Sequence, residues 1–362
     1  MAKRNIIVMG GSSGSFEAFK TIAAGLPKDL DASIFIVWHM SPDVRGILSQ
    51  VLNRLGPLTA TEAIDGEKIE TNHIYVARAD HHLLLENSHV RVTRGPKENR
   101  FRPAVDPLFR SAAYAYGTRV IGIITSGALD DGTSGLWTIK QYGGLAVAQD
   151  PNDAEVPSMP ENAIRDASVD HILPVSEIAD LITRLSKEEA PEQKEADMQK
   201  GRDSERTRIE VEIAAEENAL ESGIMKYGQL TPFTCPECSG VLSRLTDGER
   251  ARFRCHTGHA YSADSLLASL TENIEESLWN AMRGVDESIM LLNHIGDHFA
   301  EVNQGKLAAK FFRKAKDAER RKEDIRKAVL SHELLSIDGI ENEPAGLAPA
   351  AEARSSLDAA GA

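Results

Sequence analysis

The feature that most constrains this fold is the alternation, through the first half of the chain, of short apolar runs with longer amphipathic stretches. The apolar runs have the length of β-strands and lie at residues 6–9, 33–37, 74–76, 120–124 and 145–148. The stretches with apolar side chains at helical spacing lie at residues 16–26, 46–55, 107–116 and 134–141. Because strands that alternate with helices indicate a parallel sheet covered on both faces, we expect a doubly wound, Rossmann-like three-layer α/β domain over residues 1–186.

The composition changes after this domain. Residues 187–227 are polar and charged, which predicts a charged linker or a solvated helix. A compact segment with cysteines and aromatic residues follows at 228–262. Apolar spacings of three and four, and then a stretch rich in Ala, Lys, Arg and Glu, predict an α-helical hairpin over 263–335. The tail, 336–362, is expected to be disordered.

Charge and hydropathy exclude several classes of function. The chain has 41 Lys and Arg residues against 55 Asp and Glu residues, a net charge of −14, which argues against binding nucleic acid through its whole surface. It has no run of about 18 apolar residues, so we expect no membrane insertion. The amino terminus passes into the first strand without a secretory cleavage region, and three cysteines are too few for a disulfide framework. We therefore expect a cytoplasmic protein.

A candidate nucleophile lies in the first turn of the predicted sheet. The sequence GGSSG, at residues 10–14, follows the first strand directly and precedes the first helix. It matches G-x-S-x-G, a sharp strand-to-helix turn that exposes a serine, here Ser12, at the carboxyl edge of the sheet. Glycine-rich turns at this place also bind nucleotides. The dinucleotide-binding pattern fits less well, because Ser12 replaces its second glycine.

A base and an acid for Ser12 follow two other strands. His39 comes directly after the second strand, and Asp131 comes after a later apolar strand, so all three side chains lie at one edge of a parallel sheet. This placement predicts a Ser–His–Asp triad. Asp131 is also placed to cap the next helix, and Asp130 is an equally good acid on spacing alone. The order Ser…His…Asp differs from that of α/β-hydrolases.

Five segments in order resemble the catalytic domain of the chemotaxis protein-glutamate methylesterases (CheB), and the resemblance covers residues 5–186. The segments are GGSSGS at 10–15, WHM at 38–40, FRPAVDPLF at 101–109, SGALDDG at 126–132, and a late loop with DP at 150–151 and AEVPSMP at 154–160. Five motifs in order across a whole domain make the resemblance specific.

The resemblance implies a function and a role for each site residue. Ser12 is implied as the nucleophile, His39 as the base, and Asp131, rather than Asp130, as the partner of His39. The implied reaction is hydrolysis of γ-glutamyl methyl esters on methylated chemoreceptors or a similar signalling protein, and it extends to glutamine deamidation. The family needs no cofactor for catalysis.

The sequence departs from the family pattern in three respects. Ser13 stands where the family often has threonine, and Ala128 stands where it often has methionine. The usual N-terminal receiver domain is missing, so we do not expect activation by phosphorylation in cis. These departures motivate an alternative, a catalytically weak or inactive signalling adaptor that acts through its C-terminal module.

The three cysteines form one cluster with metal-ligand spacing. Cys235 and Cys238 are followed after 16 intervening residues by Cys255, and His259 follows after three more. This C-x2-C-x16-C-x3-H pattern predicts a zinc ribbon at 228–262 with a closed, structural zinc site. His259 is favoured as the fourth ligand because Gly258 permits a turn before it, but His256 is an open alternative. We expect the ribbon and hairpin to dock a regulatory partner or to mediate self-association.

Overall fold

The first half of the chain folds around a seven-stranded sheet in a computed structural model, which describes residues 2–39, 46–192, 202–216, 219–333, 335 and 340. Its elements, in chain order, are β1 (Ile6–Gly11), α1 (Ser15–Gly25), β2 (Ser33–Trp38), α2 (Ile47–Leu55), β3 (Thr59–Glu62), β4 (His73–Val76), β5 (His82–Glu86), β6 (His89–Thr93), α3 (Val105–Tyr116), β7 (Val120–Ile124), α4 (Thr133–Gln141), β8 (Leu145–Gln149), α5 (Ser158–Asp166), β9 (His171–Leu173) and α6 (Val175–Leu185).

The sheet has the strand order β3-β4-β2-β1-β7-β8-β9, and every neighbouring pair is parallel. Successive side chains of β1 enter opposite core layers. Ile6 and Val8 pack on the side of α3, α4 and α5, whereas Ile7 and Met9 pack on the side of α1, α2 and α6. All of β1 is buried because helices cover both faces of the sheet. The predicted doubly wound α/β fold is confirmed.

The chain order reverses at the centre of this sheet. The strands run outward from β1 through β2 to β4 and β3, and the chain then returns to β7 on the other side of β1. In open α/β sheets, ligands bind at the carboxyl ends of the strands where the order reverses. The loops that follow β1, β2 and β7 meet at that position.

The second half contains a small antiparallel sheet and a helical hairpin. Its elements are α7 (Arg202–Ala214), β10 (Gln229–Thr234), β11 (Val241–Asp247), β12 (Arg250–Cys255), β13 (Ala260–Ser262), α8 (Ala263–Glu301) and α9 (Gly305–Leu330). Strands β10 to β13 form one sheet in sequential order, here called the ribbon. The described residues between 202 and 333 are called the C-terminal module. No helix in the described part of the chain is long and apolar enough to cross a membrane.

Part of the segment expected to be a charged linker is structured. Residues 202–214 form α7, which packs against α3, and its Ile209, Glu210 and Ile213 side chains are buried. The segment looks solvated in sequence because it is so charged, but its buried charges are paired. The expected disordered tail, 336–362, lies outside the described residues apart from residue 340.

A buried ionic network joins the C-terminal module to the first domain. Glu98 accepts hydrogen bonds from Arg110 of α3 and from Arg254 of β12, the latter at 2.8 Å. Glu210 of α7 accepts from Arg252 at 2.7 Å. Breaking one partner of a buried pair leaves an uncompensated charge, which typically costs about 3–5 kcal/mol. The network therefore makes the stability of each half depend on its contact with the other.

Candidate active site

The turn that carries Ser12 is held by its neighbours on both sides. Ser12 lies between the end of β1 and the start of α1, and its N–H donates to the carbonyl oxygen of Ser126 at 3.0 Å. Trp38 Nε1 donates to the carbonyl oxygen of Ser12 at 3.1 Å. Gly14, at the start of α1, has a φ of 79°, a left-handed conformation that favours glycine. The glycines thus permit the sharp turn, and the adjoining loops fix it.

His39 and Asp131 form a buried hydrogen-bonded pair. His39 follows β2, and its Nε2 lies 2.8 Å from Asp131 Oδ2, with both side chains only 2% exposed. The ring of Phe101 stacks on the imidazole at 3.8 Å between centroids. The other ring nitrogen, Nδ1, is buried and has no hydrogen-bond partner among the described residues, which stop at His39 and resume at residue 46. Nδ1 is therefore the nitrogen left for a substrate or nucleophile.

Asp131 is held as a carboxylate by several donors. Besides His39, the N–H of Val105 donates to Oδ2 at 2.7 Å, and Asn99 Nδ2 donates to Oδ1 at 2.9 Å. Burial alone would raise the pKa of Asp131, but the hydrogen bond and charge of His39 and these two donors lower the pKa below its ordinary value. An ionised Asp131 is the form that stabilises a protonated imidazole.

Asp130, the alternative acid, has a different environment. Its carboxylate accepts hydrogen bonds from Arg250 and from Ser262 Oγ, the latter at 2.6 Å, and both donors belong to the C-terminal module. Adjacent side chains diverge in this loop, so Asp131 contacts His39 and Asp130 contacts the module. This geometry agrees with the assignment that the family resemblance implies.

Ser12 and His39 line one cavity of about 690 Å³. Ser13 and Ala128, two of the departures from the family pattern, also line it, and so do three cationic side chains. The remaining lining residues are Asp80, Lys97, Arg100, Phe101, Arg102 and Leu129. The cavity therefore brings together the predicted nucleophile, the predicted base and the positions that shape the substrate pocket.

Sequence reasoning missed two residues of this site, Asn99 and Phe101. Phe101 begins the FRPAVDPLF segment, but nothing in that segment says that its ring stacks on His39. Asn99 precedes the segment and has a φ of 48°, a left-handed conformation that asparagine tolerates better than most residues. The position of Asn99 beside a turn is the only signal in the sequence, and that position does not indicate that its side chain binds Asp131.

The predicted metal ligands also converge. One ligand atom from each of Cys235, Cys238, Cys255 and His259 lies within 4.8 Å of every other. Cys238 Sγ and Cys255 Sγ are 3.7 Å apart, and Cys255 Sγ lies 3.6 Å from His259 Nδ1. A tetrahedron with Zn–S bonds of about 2.3 Å has edges of about 3.8 Å, so these donors fit zinc. His256 is not one of the four residues.

Comparisons with known proteins agree on the first half of the chain. A family model described as CheB methylesterase matches residues 7–182. A putative protein-glutamate methylesterase/protein-glutamine glutaminase from Leptospira interrogans is 40% identical over 180 residues, which are 49% of this chain and 93% of that protein. A protein of the same type from Thermotoga maritima is 34% identical over 184 residues, which are 50% of this chain and 54% of that protein.

A solved structure is also similar to this half. The crystal structure of the Thermotoga maritima CheB methylesterase catalytic domain is 33% identical in sequence and has a TM-score of 0.49. The similarity covers 51% of this chain and 99% of the Thermotoga maritima domain.

Proposed function

The chain belongs to the CheB methylesterase family, and from this premise we propose that it hydrolyses γ-glutamyl methyl esters of chemoreceptors with Ser12, His39 and Asp131. The main support for these catalytic roles is the buried hydrogen bond between His39 and Asp131, together with the cavity that His39 and Ser12 both line. The departures at Ser13 and Ala128 leave that pair intact, so we do not carry the adaptor alternative forward.

The acylation step uses the second ring nitrogen of His39, Nδ1. Nε2–H donates to Asp131, so the lone pair at Nδ1 takes the proton of Ser12 as Oγ attacks the ester carbonyl carbon. The ionised Asp131 stabilises the imidazolium that results. The tetrahedral intermediate collapses when its C–O bond to the methoxy group breaks and His39 returns the proton. Methanol leaves, and the glutamyl group stays on Ser12.

The oxyanion needs backbone donors beside Ser12. The N–H of Ser12 already donates to the carbonyl oxygen of Ser126, so it is committed elsewhere. We propose the N–H of Ser13, the residue after the nucleophile, as one donor. The amino-terminal end of α1 adds a favourable dipole at the same place.

Deacylation reverses the roles of the groups. Water loses a proton to His39 Nδ1 and attacks the acyl carbon, and Ser12 Oγ leaves with that proton. The product is a glutamate side chain. A glutamine side chain follows the same route with ammonia as the leaving group, which gives glutaminase activity. The proposed setting is the cytoplasm, because cysteines that form no disulfide, like the three of the ribbon, are typical of a reducing compartment.

The test is methanol release from a methyl-esterified cytoplasmic fragment of a chemoreceptor. We expect turnover by the wild type and a loss of at least about 10³-fold in Ser12→Ala, because the nucleophile is removed. The control is Ser33→Ala, which removes a buried serine hydroxyl at the amino end of β2, and it should retain turnover. A fluorophosphonate probe should label Ser12 and not Ser12→Ala. Equal turnover by wild type and Ser12→Ala would refute the proposal.

We further propose that Cys235, Cys238, Cys255 and His259 hold a structural zinc ion. The support is the donor set and its spacing, together with the small size of the ribbon core around Cys235 and Cys255. Tyr261 Oη lies 3.6 Å from Cys235 Sγ, as an outer partner of a ligand does. Four protein ligands leave no open position, so the zinc supplies folding energy and takes no part in ester hydrolysis.

The chain contains a matched pair of histidines for testing this site. We expect about one zinc per chain in the wild type, as for a single four-ligand site. His259→Ala should lose most of the zinc, whereas His256→Ala should retain it, as measured by inductively coupled plasma mass spectrometry. If His256→Ala lost the metal instead, the fourth ligand would be the other histidine.

The helical hairpin is proposed to bind a second copy of this chain. Several large apolar side chains of α8 are exposed, including Ile274 at 50%, Trp279 at 47% and Met290 at 63%. Covering them against the same surface of another copy would bury apolar area. Sedimentation velocity should show a dimer that Trp279→Glu weakens, and a monomer at all concentrations would rule the interface out.

A further inference from the structure

We propose that Asn99 is a positioning residue of the esterase reaction and that Ser262 and Ser265 of the C-terminal module hold it in place. The inference rests on the proposed roles of His39 and Asp131. It makes the module a part of the active-site architecture, in addition to any docking role.

The amide group of Asn99 joins two buried carboxylates. Its Nδ2 donates to Asp131 Oδ1 and to Asp106 Oδ2, each at 2.9 Å. Asp106 is buried beside Asp131, and burial together with the charge of Asp131 raises the pKa of Asp106 to about 7. A single amide that donates to both carboxylates offsets their mutual repulsion and, together with the N–H groups of Val105 and Asp106, fixes the rotation of the Asp131 carboxylate. That rotation determines where Oδ2 meets His39.

The carbonyl oxygen of the same amide is held from the C-terminal module. Asn99 Oδ1 accepts from the N–H of Ser262 at 2.9 Å and from Ser265 Oγ at 3.1 Å. Ser262 Oγ in turn accepts from the N–H of Ser265 at 3.0 Å, so the same serines begin α8. Because hydrogen-bond donors face Oδ1 and carboxylate acceptors face Nδ2, the amide of Asn99 can adopt only one orientation. The first turn of α8 therefore determines which way Asn99 donates.

The backbone around Asn99 is paired with the ribbon as well. The N–H of Asn99 donates to the carbonyl oxygen of Ala260 in β13 at 2.8 Å, and the N–H of Ala260 donates to the carbonyl oxygen of Lys97 at 3.3 Å. Residues 98 and 260 form a parallel bridge. Glu98 is bound by Arg254 from β12. The segment that supports Asp131 and carries Phe101 thus lies against the ribbon.

The experiment compares Asn99→Gly, Ser265→Ala and the control Ser269→Ala. Glycine keeps the left-handed backbone of residue 99 and removes only the amide. Ser269 is buried one turn further along α8 and has no hydrogen bond to Asn99 among the described contacts. With the methyl-esterified receptor fragment, we expect kcat to fall about 10- to 100-fold in Asn99→Gly with KM within about twofold, because the reacting groups are misplaced. Ser265→Ala should lower kcat about three- to tenfold by the same route.

A second readout does not depend on turnover. The His39 ring proton that is hydrogen-bonded to Asp131 should give a far-downfield proton NMR resonance in the wild type. We expect this resonance to shift or broaden in Asn99→Gly and Ser265→Ala and to remain in Ser269→Ala. Thermal melting of each variant identifies any that fail to fold, in which case Ser265→Ala decides the question.

The outcomes separate this inference from the proposed function. An active wild type whose kcat and downfield resonance both survive Asn99→Gly would overturn the positioning role and leave the esterase proposal intact. A wild type that releases no methanol would refute the esterase proposal, and the resonance would still report whether Asn99 orients the His39–Asp131 pair. Equal losses in Ser265→Ala and Ser269→Ala would indicate general destabilisation and would overturn the inference.

Discussion

The orientation of the His39 ring decides which of its two nitrogens is available to a nucleophile. Its Nε2 contacts Asp131, which leaves Nδ1 for the proposed nucleophile, Ser12. In the chymotrypsin type of triad the nitrogens have the opposite roles. A triad needs one nitrogen for the acid and one for the nucleophile, so either arrangement works when the backbone places the ring accordingly. Here Phe101 stacks on the ring and helps to set its plane.

Replacement of Asp131 by asparagine tests this orientation at the residue scale. The Asp131→Asn amide cannot stabilise the imidazolium and favours the wrong tautomer of His39, so we expect kcat to fall by about 10³- to 10⁴-fold. The measurement is steady-state methanol release at pH 7.

Asp130→Asn is the matched control for that substitution, because it makes the same chemical change at the next residue. Asp130 contacts Arg250 and Ser262 and has no contact with His39 in the described structure. We expect a loss of kcat below about tenfold and a lower melting temperature, because a largely buried ion pair is broken. Equal losses of kcat in the two variants would contradict the assignment of Asp131.

At the scale of elements, the sequence predicted the strands that are fully buried in the main sheet and missed the strands at its two edges. Strands β1, β2, β7 and β8 are apolar runs, because both of their faces lie in the core. The edge strands β3 and β9 are short and partly exposed, so their sequences, TATE and HIL, give a weak signal. The hairpin β5–β6 packs on α3 outside the main sheet.

Helix α7 shows why a charged sequence does not by itself indicate a linker. Its Glu210 is buried with Arg252 and Arg110 on either side, and Arg206 donates to Asp247 at 2.7 Å. These partners come from α3 and from the ribbon, far away in sequence. Charged side chains are buried only when paired, and the pairing is a property of the assembled halves.

The acid sensitivity of this network is predicted through Glu98. Burial alone would raise its pKa, but Arg110 and Arg254 lower the pKa from 4.5 to about 2. Glu98 thus contributes its full stabilisation above a pH of about 4.5 and loses it as the pH falls towards about 2. We expect the melting temperature of the wild type to fall across this window. Glu98→Gln should melt lower at pH 7 and decline less steeply with acid.

The control for Glu98 is Glu188→Gln, which removes an exposed carboxylate paired with Arg184 at 3.2 Å. Exposed pairs contribute about 0–1 kcal/mol, so this variant should follow the wild-type curve. Melting followed by circular dichroism between pH 2 and pH 7 (a range of about five pH units) covers the window set by the Glu98 pKa. A Glu98→Gln curve parallel to that of the wild type would show that the network does not titrate as inferred.

At the scale of the whole molecule, two features join the C-terminal module to the first domain. One is a cluster of buried ion pairs, and the other is the loop of residues 97–102, which is hydrogen-bonded to the ribbon. The structure shows buried pairs such as Glu98–Arg254 and Ser134–Asp247 across the boundary between the module and the domain. The ribbon therefore contacts residues 97–102, the segment that supports the proposed triad. Stability of the ribbon and activity of the esterase should be linked.

Removal of the proposed zinc tests that link. A strong chelator should release the metal from Cys235, Cys238, Cys255 and His259, loosen β13, and lower both the melting temperature and kcat. Zinc release is followed with a chromogenic indicator, and activity by methanol release in the same samples. Re-addition of zinc should restore both. Full activity after complete zinc release would show that the active site does not depend on the ribbon.

The sequence by itself determined the features that depend on local periodicity and spacing. Apolar runs of strand length that alternate with helical patterns predict the parallel sheet, and parallel strands bring Ser12, His39 and Asp131 to one edge because they all end there. The cysteine spacing likewise predicts the ligand cluster, because Cys235 and Cys238 share one turn. These relations follow from chain geometry over a few residues or from the direction of the strands.

Only the tertiary structure decided which atoms meet within that framework. It selected Asp131 over Asp130 as the side chain that contacts His39, left Nδ1 without a partner among the described residues, and brought Asn99 to Ser262 across 163 positions of the chain. It also buried Glu210 among arginines of other elements. Contacts of this kind depend on side-chain rotamers and on the docking of distant elements, which neither periodicity nor motif spacing encodes.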